Sequence, residues 1–196
     1  MKNLRPIDLT FGAVFVCLMA IGANITAWFP ILAVPIGGAT VPLSLQTFFA
    51  ILAGLMLGRK LGSLSIFVYL MVGLLGVPVF AQMRAGIWEF ISPTGGFLIS
   101  FVLVAFFVGW IAEQGKKPSI PLYTVAAVIG LIVNYVFGVT YMYIAMNNWL
   151  ELPISYSIAW SGMIPFLIKD GALSIFAAIF MVQLAKRIAF RWKPAS

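Results

Sequence analysis

The stretch from Ile120 to Ala145, IPLYTVAAVIGLIVNYVFGVTYMYIA, carries no Asp, Glu, Lys or Arg. As a helix it is about 39 Å long, enough to cross the ~30 Å hydrocarbon layer of a bilayer. Working outward, five further apolar stretches stand out, at roughly 9–29, 43–58, 63–77, 95–113 and 163–185. The whole chain of 196 residues is 63% hydrophobic and 9% charged, against roughly 25% charged in a soluble domain. Its mean hydropathy is +1.09. Such a chain has too little polar surface to be a soluble globule. It reads as an all-α integral membrane protein, a single bundle of six transmembrane helices over residues 1–196, with no room for a soluble enzyme domain. Lys2 and Arg5 ahead of the first stretch resemble a signal peptide, but the stretch exceeds the 7–15 residues of an h-region, so it reads as a retained helix.

Lys and Arg flanking the spans set the orientation. With a cytoplasmic N-terminus, Lys2, Arg5, Arg59, Lys60, Lys116, Lys117, Lys186, Arg187, Arg191 and Lys193 lie inside, and only Arg84 and Lys169 lie outside. Both termini are then cytoplasmic, and the net charge of +7 belongs to topology and anionic lipid rather than to nucleic acid. The inner connections are short. The outer ones, roughly 30–42, 78–94 and 146–162, are long and rich in Pro, Gly and Trp. Long loops in a small protein tend to carry function, so the working site is expected outside, with 30–42 as a lid.

Several chemistries are excluded. No histidine is present, which removes imidazole bases and HExxH zinc sites. Cys17 is the single cysteine, so neither a disulfide nor a cysteine metal site can form within the chain. No phosphate-cradling Gly-rich loop occurs. No catalytic residue, metal or cofactor is assigned. An intramembrane aspartyl protease would need a second aspartate in the spans beside Asp170. A self-sufficient secondary transporter would show inverted repeats between its halves.

Charges kept on the outer side are the functional candidates. Asp170 and Lys169 read as the start of the last helix, where Asp170 faces either a ligand cavity or the helix dipole and headgroup water. Arg84 sits in an apolar loop, to clamp either ligand or loop. Glu89 and Glu151 read as solvated loop charges. Polar groups inside the spans form a second tier, namely Gln46, Tyr69, Asn134 and Tyr141, the last two sharing one helix face. Interhelical hydrogen bonding is the alternative for each. Gly54, Gly58 and Gly62 read as a close-packing ladder. Ala13, Cys17, Ala20, Ala23 and Ala27 give the first helix a small-residue stripe suited to internal packing or to docking a partner.

Four blocks in order carry a family resemblance. They are Val41-Pro42-Leu43-Ser44-Leu45-Gln46-Thr47-Phe48, Gly58-Arg59-Lys60-Leu61-Gly62, the run Tyr69–Ala81 with Gly73, Gly76 and Pro78, and Ser92-Pro93-Thr94-Gly95-Gly96-Phe97. Together they resemble the BioY family, the biotin-binding S components of energy-coupling-factor (ECF) vitamin transporters. The resemblance implies a six-helix S-component fold in the bacterial plasma membrane, working with a transmembrane T subunit and two ATPase subunits. It implies biotin as substrate, captured from outside, and a partner-docking role for the alanine-rich first helix. Two positions depart from the family pattern: Ser44 replaces a threonine, and Leu173 stands where many relatives carry a lysine three residues after the aspartate.

Biotin has a ureido head with two N–H donors and one carbonyl, an apolar bicycle and a carboxylate tail. Asp170 suits the N–H groups, Asn134 or Gln46 the ureido oxygen, and Arg84 or Lys169 the carboxylate. Phe80, Phe90, Trp88, Trp149 and Trp160 are candidate walls, and Thr94 joins the expected binding residues. An S component for another vitamin would differ only in these pocket residues.

Overall fold

The computed structural model describes residues 5–28, 33–36 and 39–187. Helix α1 (Pro6–Ala23) is followed at once by a single turn, α2 (Ile25–Trp28). Strands β1 (Ala33–Ile36) and β2 (Ala39–Pro42) pair antiparallel, Ala33 opposite Pro42. Then come α3 (Gln46–Leu74), a 3-10 turn (Ala81–Met83), the short α4 (Trp88–Ile91), α5 (Gly95–Ala112), α6 (Ile120–Asn148) and α7 (Tyr156–Arg187). The five long helices are each apolar and long enough to cross a membrane.

One of the five is two rods. Gly58 in α3 has φ 76° and ψ 176°, a region open essentially to glycine alone. In a straight helix Gln46 and Tyr69 would stand about 35 Å apart, yet Gln46 Nε2 donates to Tyr69 Oη at 3.0 Å. The chain therefore doubles back at Gly58, and 46–57 packs antiparallel to 59–74. A Cβ on Gly62 would lie 2.9 Å from the Ala53 carbonyl, and one on Gly109 of α5 would lie 2.3 Å from Arg59 N, so the hairpin and its tip rest on bare backbone. The glycine ladder thus divides its work: Gly54 and Gly62 allow close packing, and Gly58 makes the turn. Six rods result, as hydropathy predicts.

Helix α3 packs on α1, α5 and α7, while α6 bridges α5 and α7. Phe15, Met19, Ile51, Ile66, Val104 and Val108 fill the main core. Tyr135, Val139, Met142, Met163 and Phe166 form a second cluster between α6 and α7. Large apolar side chains such as Ile132, Ile168 and Phe176 remain exposed on the outer faces, as a lipid-facing surface requires.

Three boundaries differ from the hydropathy reading. The first helix stops at Ala23 because Asn24 turns its amide back onto the Ala20 carbonyl (2.9 Å) and takes Met83 N–H on its Oδ1 (2.6 Å). The connection 30–42 holds the β1–β2 pair; Pro30, Gly37 and Gly38 lie outside the described residues. Helix α7 begins at Tyr156, where Ser155 Oγ accepts from Ile158 N–H. Its first two turns are too polar to register as a span. Asp170 is consequently the fifteenth residue of α7, not its first turn. The helix dipole acts only within the terminal turn and cannot account for a carboxylate at mid-helix.

Candidate substrate-binding site

Where the start of α3 meets the middles of α6 and α7, a cavity of about 620 Å³, its open mouth included, lies on the side of the bundle carrying the long connections. Phe80, Phe97, Leu98, Phe101, Met163 and Phe166 give apolar walls; Ser44, Gln46, Thr47, Glu89, Thr94, Asn134, Tyr135, Lys169 and Asp170 supply polar groups.

Asp170 is the centre of the polar set and is 5% exposed. Its Oδ2 accepts from Thr47 Oγ1 at 3.1 Å and from Tyr135 Oη at 2.9 Å. Its Oδ1 has Lys169 Nζ at 2.8 Å as counter-charge, yet receives no well-directed hydrogen bond from the described residues. Burying a carboxylate is tolerable only when its charge and lone pairs are met. Lys169 and two hydroxyls meet most of that need, and Oδ1 is left one donor short among the described residues. Lys169 Nζ also donates to the Ser44 carbonyl, tying α7 to the entry of α3. Leu173, one turn later, offers no cation, and the adjacent Lys169 stands beside the aspartate instead.

Asn134 is 1% exposed. Its Nδ2 donates to Thr47 Oγ1 at 3.3 Å, and its Oδ1 accepts from Ser100 Oγ at 2.7 Å. Gln46 is held through Tyr69, whose hydroxyl donates onward to the Val79 carbonyl at 3.1 Å. Tyr69 therefore stands behind Gln46 and outside the lining. Phe80 is packed edge-on between Tyr69 and Phe90, both at 5.6 Å, and closes one wall. Thr94 lines the cavity, its hydroxyl 3.1 Å from that of Ser92.

Of the expected binding residues, Asp170, Lys169, Asn134, Gln46, Phe80 and Thr94 come together around the cavity. Four others stand elsewhere, Tyr69 behind Gln46 among them. The Tyr141 hydroxyl donates to the Phe90 carbonyl at 2.6 Å, a loop anchor. Trp88 is 75% exposed on α4. Arg84 projects outside the lining with a half-exposed side chain, 3.8 Å from Glu89. Glu89, expected as a solvated loop charge, instead lines the cavity with a mostly covered side chain. Burial raises its carboxyl above the ordinary range near 4.5, and Arg84 draws it part of the way back. Thr47, Tyr135 and Ser100 escaped the reading of the sequence. The small-residue stripe divides too. Ala13 and Cys17 are exposed and Ala20 is half-covered, but Ala23 is buried in the bundle and Ala27 belongs to α2 beyond the Asn24 break.

The BioY family model matches residues 1–190. BioYB of Bacillus subtilis (strain 168) is 42% identical, over 95% of this chain and 92% of its own. "Biotin transporter BioY" of Thermotoga maritima is 34% identical, over 91% and 96%. "Biotin transporter BioY2" of Lactococcus lactis subsp. cremoris is 31% identical over 96% of each chain. In fold, the chain resembles the crystallised S-component for biotin from an ECF-type ABC transporter, with a TM-score of 0.69 at 24% identity, covering 95% of this chain and 94% of that one. A match along nearly the whole length, with helices built to cross a bilayer and a polar cavity between them, places the chain in one family of membrane transport proteins: it is a member of the BioY family.

Proposed function

We propose that this chain is the biotin-binding subunit of a vitamin uptake transporter. Asp170 is the observation that carries the reading: its carboxylate lines an apolar-walled cavity, and its buried Oδ1 has no hydrogen-bond donor among the described residues. It takes a ureido N–H, Asn134 or Gln46 gives to the ureido carbonyl, and the phenylalanines hold the bicycle. Lys169 is engaged by Asp170 and Ser44. The carboxylate tail therefore falls to Arg84 at the mouth, whose contact with Glu89 is long. The cavity faces outside. Arg5, Arg59, Lys60, Lys116, Lys117, Lys186 and Arg187 all belong to the opposite end of the bundle, which the positive-inside rule makes cytoplasmic.

The chain holds substrate and does not itself drive uptake. It has no nucleotide motif and no acidic relay across the bilayer beyond Asp170. A T subunit and two ATPase subunits supply the work, docking on the exposed part of the α1 stripe, Ala13, Cys17 and Ala20. Titration calorimetry of the purified protein against biotin, thiamine and riboflavin tests the reading. Saturable heat with biotin alone is expected; binding of another vitamin without biotin would overturn it.

A further inference from the structure

The four polar groups leading from Ser100 to Asp170 have a fixed direction of donation. Asp170, paired with Lys169 Nζ at 2.8 Å and receiving two hydroxyls on Oδ2, only accepts. Thr47 has one hydroxyl proton and gives it to Asp170 Oδ2. Its oxygen can then only receive, so the group of Asn134 that faces it must be the Nδ2 amide. Asn134 Oδ1 is thereby turned to Ser100, whose Oγ is within reach of both the Phe97 carbonyl (2.8 Å) and Asn134 Oδ1 (2.7 Å). One proton serves one of these at a time, and the bond to Asn134 completes the chain. Ser100 is 0% exposed and stands behind the cavity wall, outside its lining.

We propose that Ser100, acting through Asn134, is a specificity-determining positioning residue: the Ser100–Asn134–Thr47–Asp170 relay fixes the Asn134 amide so that its remaining N–H is offered to the ligand as a donor beside the Asp170 acceptor. The inference rests on the reading of the cavity as a biotin site. A ureido group displays a carbonyl acceptor flanked by N–H donors, the complement of a wall offering a donor beside an acceptor. Without the Ser100 hydroxyl, Asn134 Oδ1 loses its donor and the amide loses one of its two anchors. The predicted loss falls on recognition of the ureido oxygen and spares the rest of the ligand.

The test compares biotin with 2-iminobiotin, in which an N–H group replaces that oxygen. Wild type should prefer biotin. Ser100→Ala should bind biotin about 3- to 10-fold more weakly, the worth of one neutral hydrogen bond, and bind 2-iminobiotin nearly as before, so that the preference shrinks by that factor. Equal weakening of both ligands, which leaves the preference unchanged, would mark Ser100 as merely structural and overturn the relay. If Ser100→Ala does not fold, Thr47→Val and Thr47→Ser read the same ratio. The valine should reduce the preference and the serine restore it; matching behaviour of the two would also overturn the relay. Wild type without saturable biotin binding would refute the functional reading and the relay together. Wild-type binding with an unmoved ratio refutes the relay alone.

Discussion

Replacing Asp170 by asparagine reverses the hydrogen-bonding sense of one atom without changing its shape. Two donors, Thr47 Oγ1 and Tyr135 Oη, converge on Oδ2, so the carbonyl oxygen of the new amide must occupy that position. The NH₂ then falls at the place of Oδ1, 2.8 Å from Lys169 Nζ, donor facing donor. A ligand N–H approaching there meets a donor in place of a carboxylate. Losing a charge-assisted hydrogen bond costs about 1.5–3 kcal/mol, or roughly 10- to 150-fold in Kd. Asp170→Asn should therefore weaken biotin binding by at least tenfold, read by calorimetry in detergent beside a thermal melt to verify folding. Glu151→Gln is the control, because Glu151 is exposed in the connection between α6 and α7, and it should leave affinity within twofold. A folded Asp170→Asn protein with wild-type affinity would refute the reasoning and return Asp170 to the scaffold.

Four further outcomes are expected. Arg84→Ala should weaken binding of biotin by about 1 kcal/mol, as befits a half-exposed cation, and leave the uncharged biotin amide unaffected; equal loss for both would remove Arg84 from the carboxylate. The raised carboxyl of Glu89 contributes stability that is complete below the ordinary glutamate value near 4.5 and is lost as pH climbs through its folded value. Glu89→Gln, lacking that slope, should match wild type in Tm at low pH and exceed it at neutral pH, and parallel curves would contradict this. Gly109→Ala sets a Cβ 2.3 Å from Arg59 N and should destabilise by about 1–3 kcal/mol, whereas Gly171→Ala, with Leu131 Cδ2 at 3.9 Å, should melt like wild type. Ala13→Trp and Ala20→Trp should abolish co-purification with a T subunit while biotin affinity persists; retained co-purification would move the docking face to another helix.

The rods were legible because a bilayer demands long apolar runs, and the glycines at 54, 58 and 62 marked where two of them meet. Asp170, Lys169, Asn134 and Gln46 were legible for a related reason, since a charge or amide within such a run is costly enough to need a purpose. Hydroxyls give no such signal. Thr10, Ser65 and Ser174 each return their proton to a carbonyl four residues back, on Pro6, Leu61 and Asp170, and nothing in the sequence separates them from Thr47, Ser100 and Tyr135, which point across to other helices. Arg84, Trp88 and Tyr141 are the converse case, placed outside the cavity lining. Each has the chemistry of a ligand contact, but where a loop or helix face turns is decided by packing, here by Phe80 against Tyr69 and by Asn24 against Met83.

The tip of the α3 hairpin also has a history in time. Arg59 leaves the ribosome with its partner Glu113 still 54 residues from synthesis, about 3–11 s at ordinary elongation rates of 5–20 residues per second. Until then the guanidinium lacks this counter-charge, and an unpaired charge is costly to carry into the bilayer. Once α5 is made, its end brings Glu113 to the Arg59 backbone N–H at 2.8 Å and to Nε at 3.2 Å, and Gly109 then seats against the turn. The ion pair thus acts as a late latch, and a charge-reversed pair at positions 59 and 113 would keep the net charge yet lose the latch, because an arginine at 113 cannot accept from the residue-59 backbone N–H.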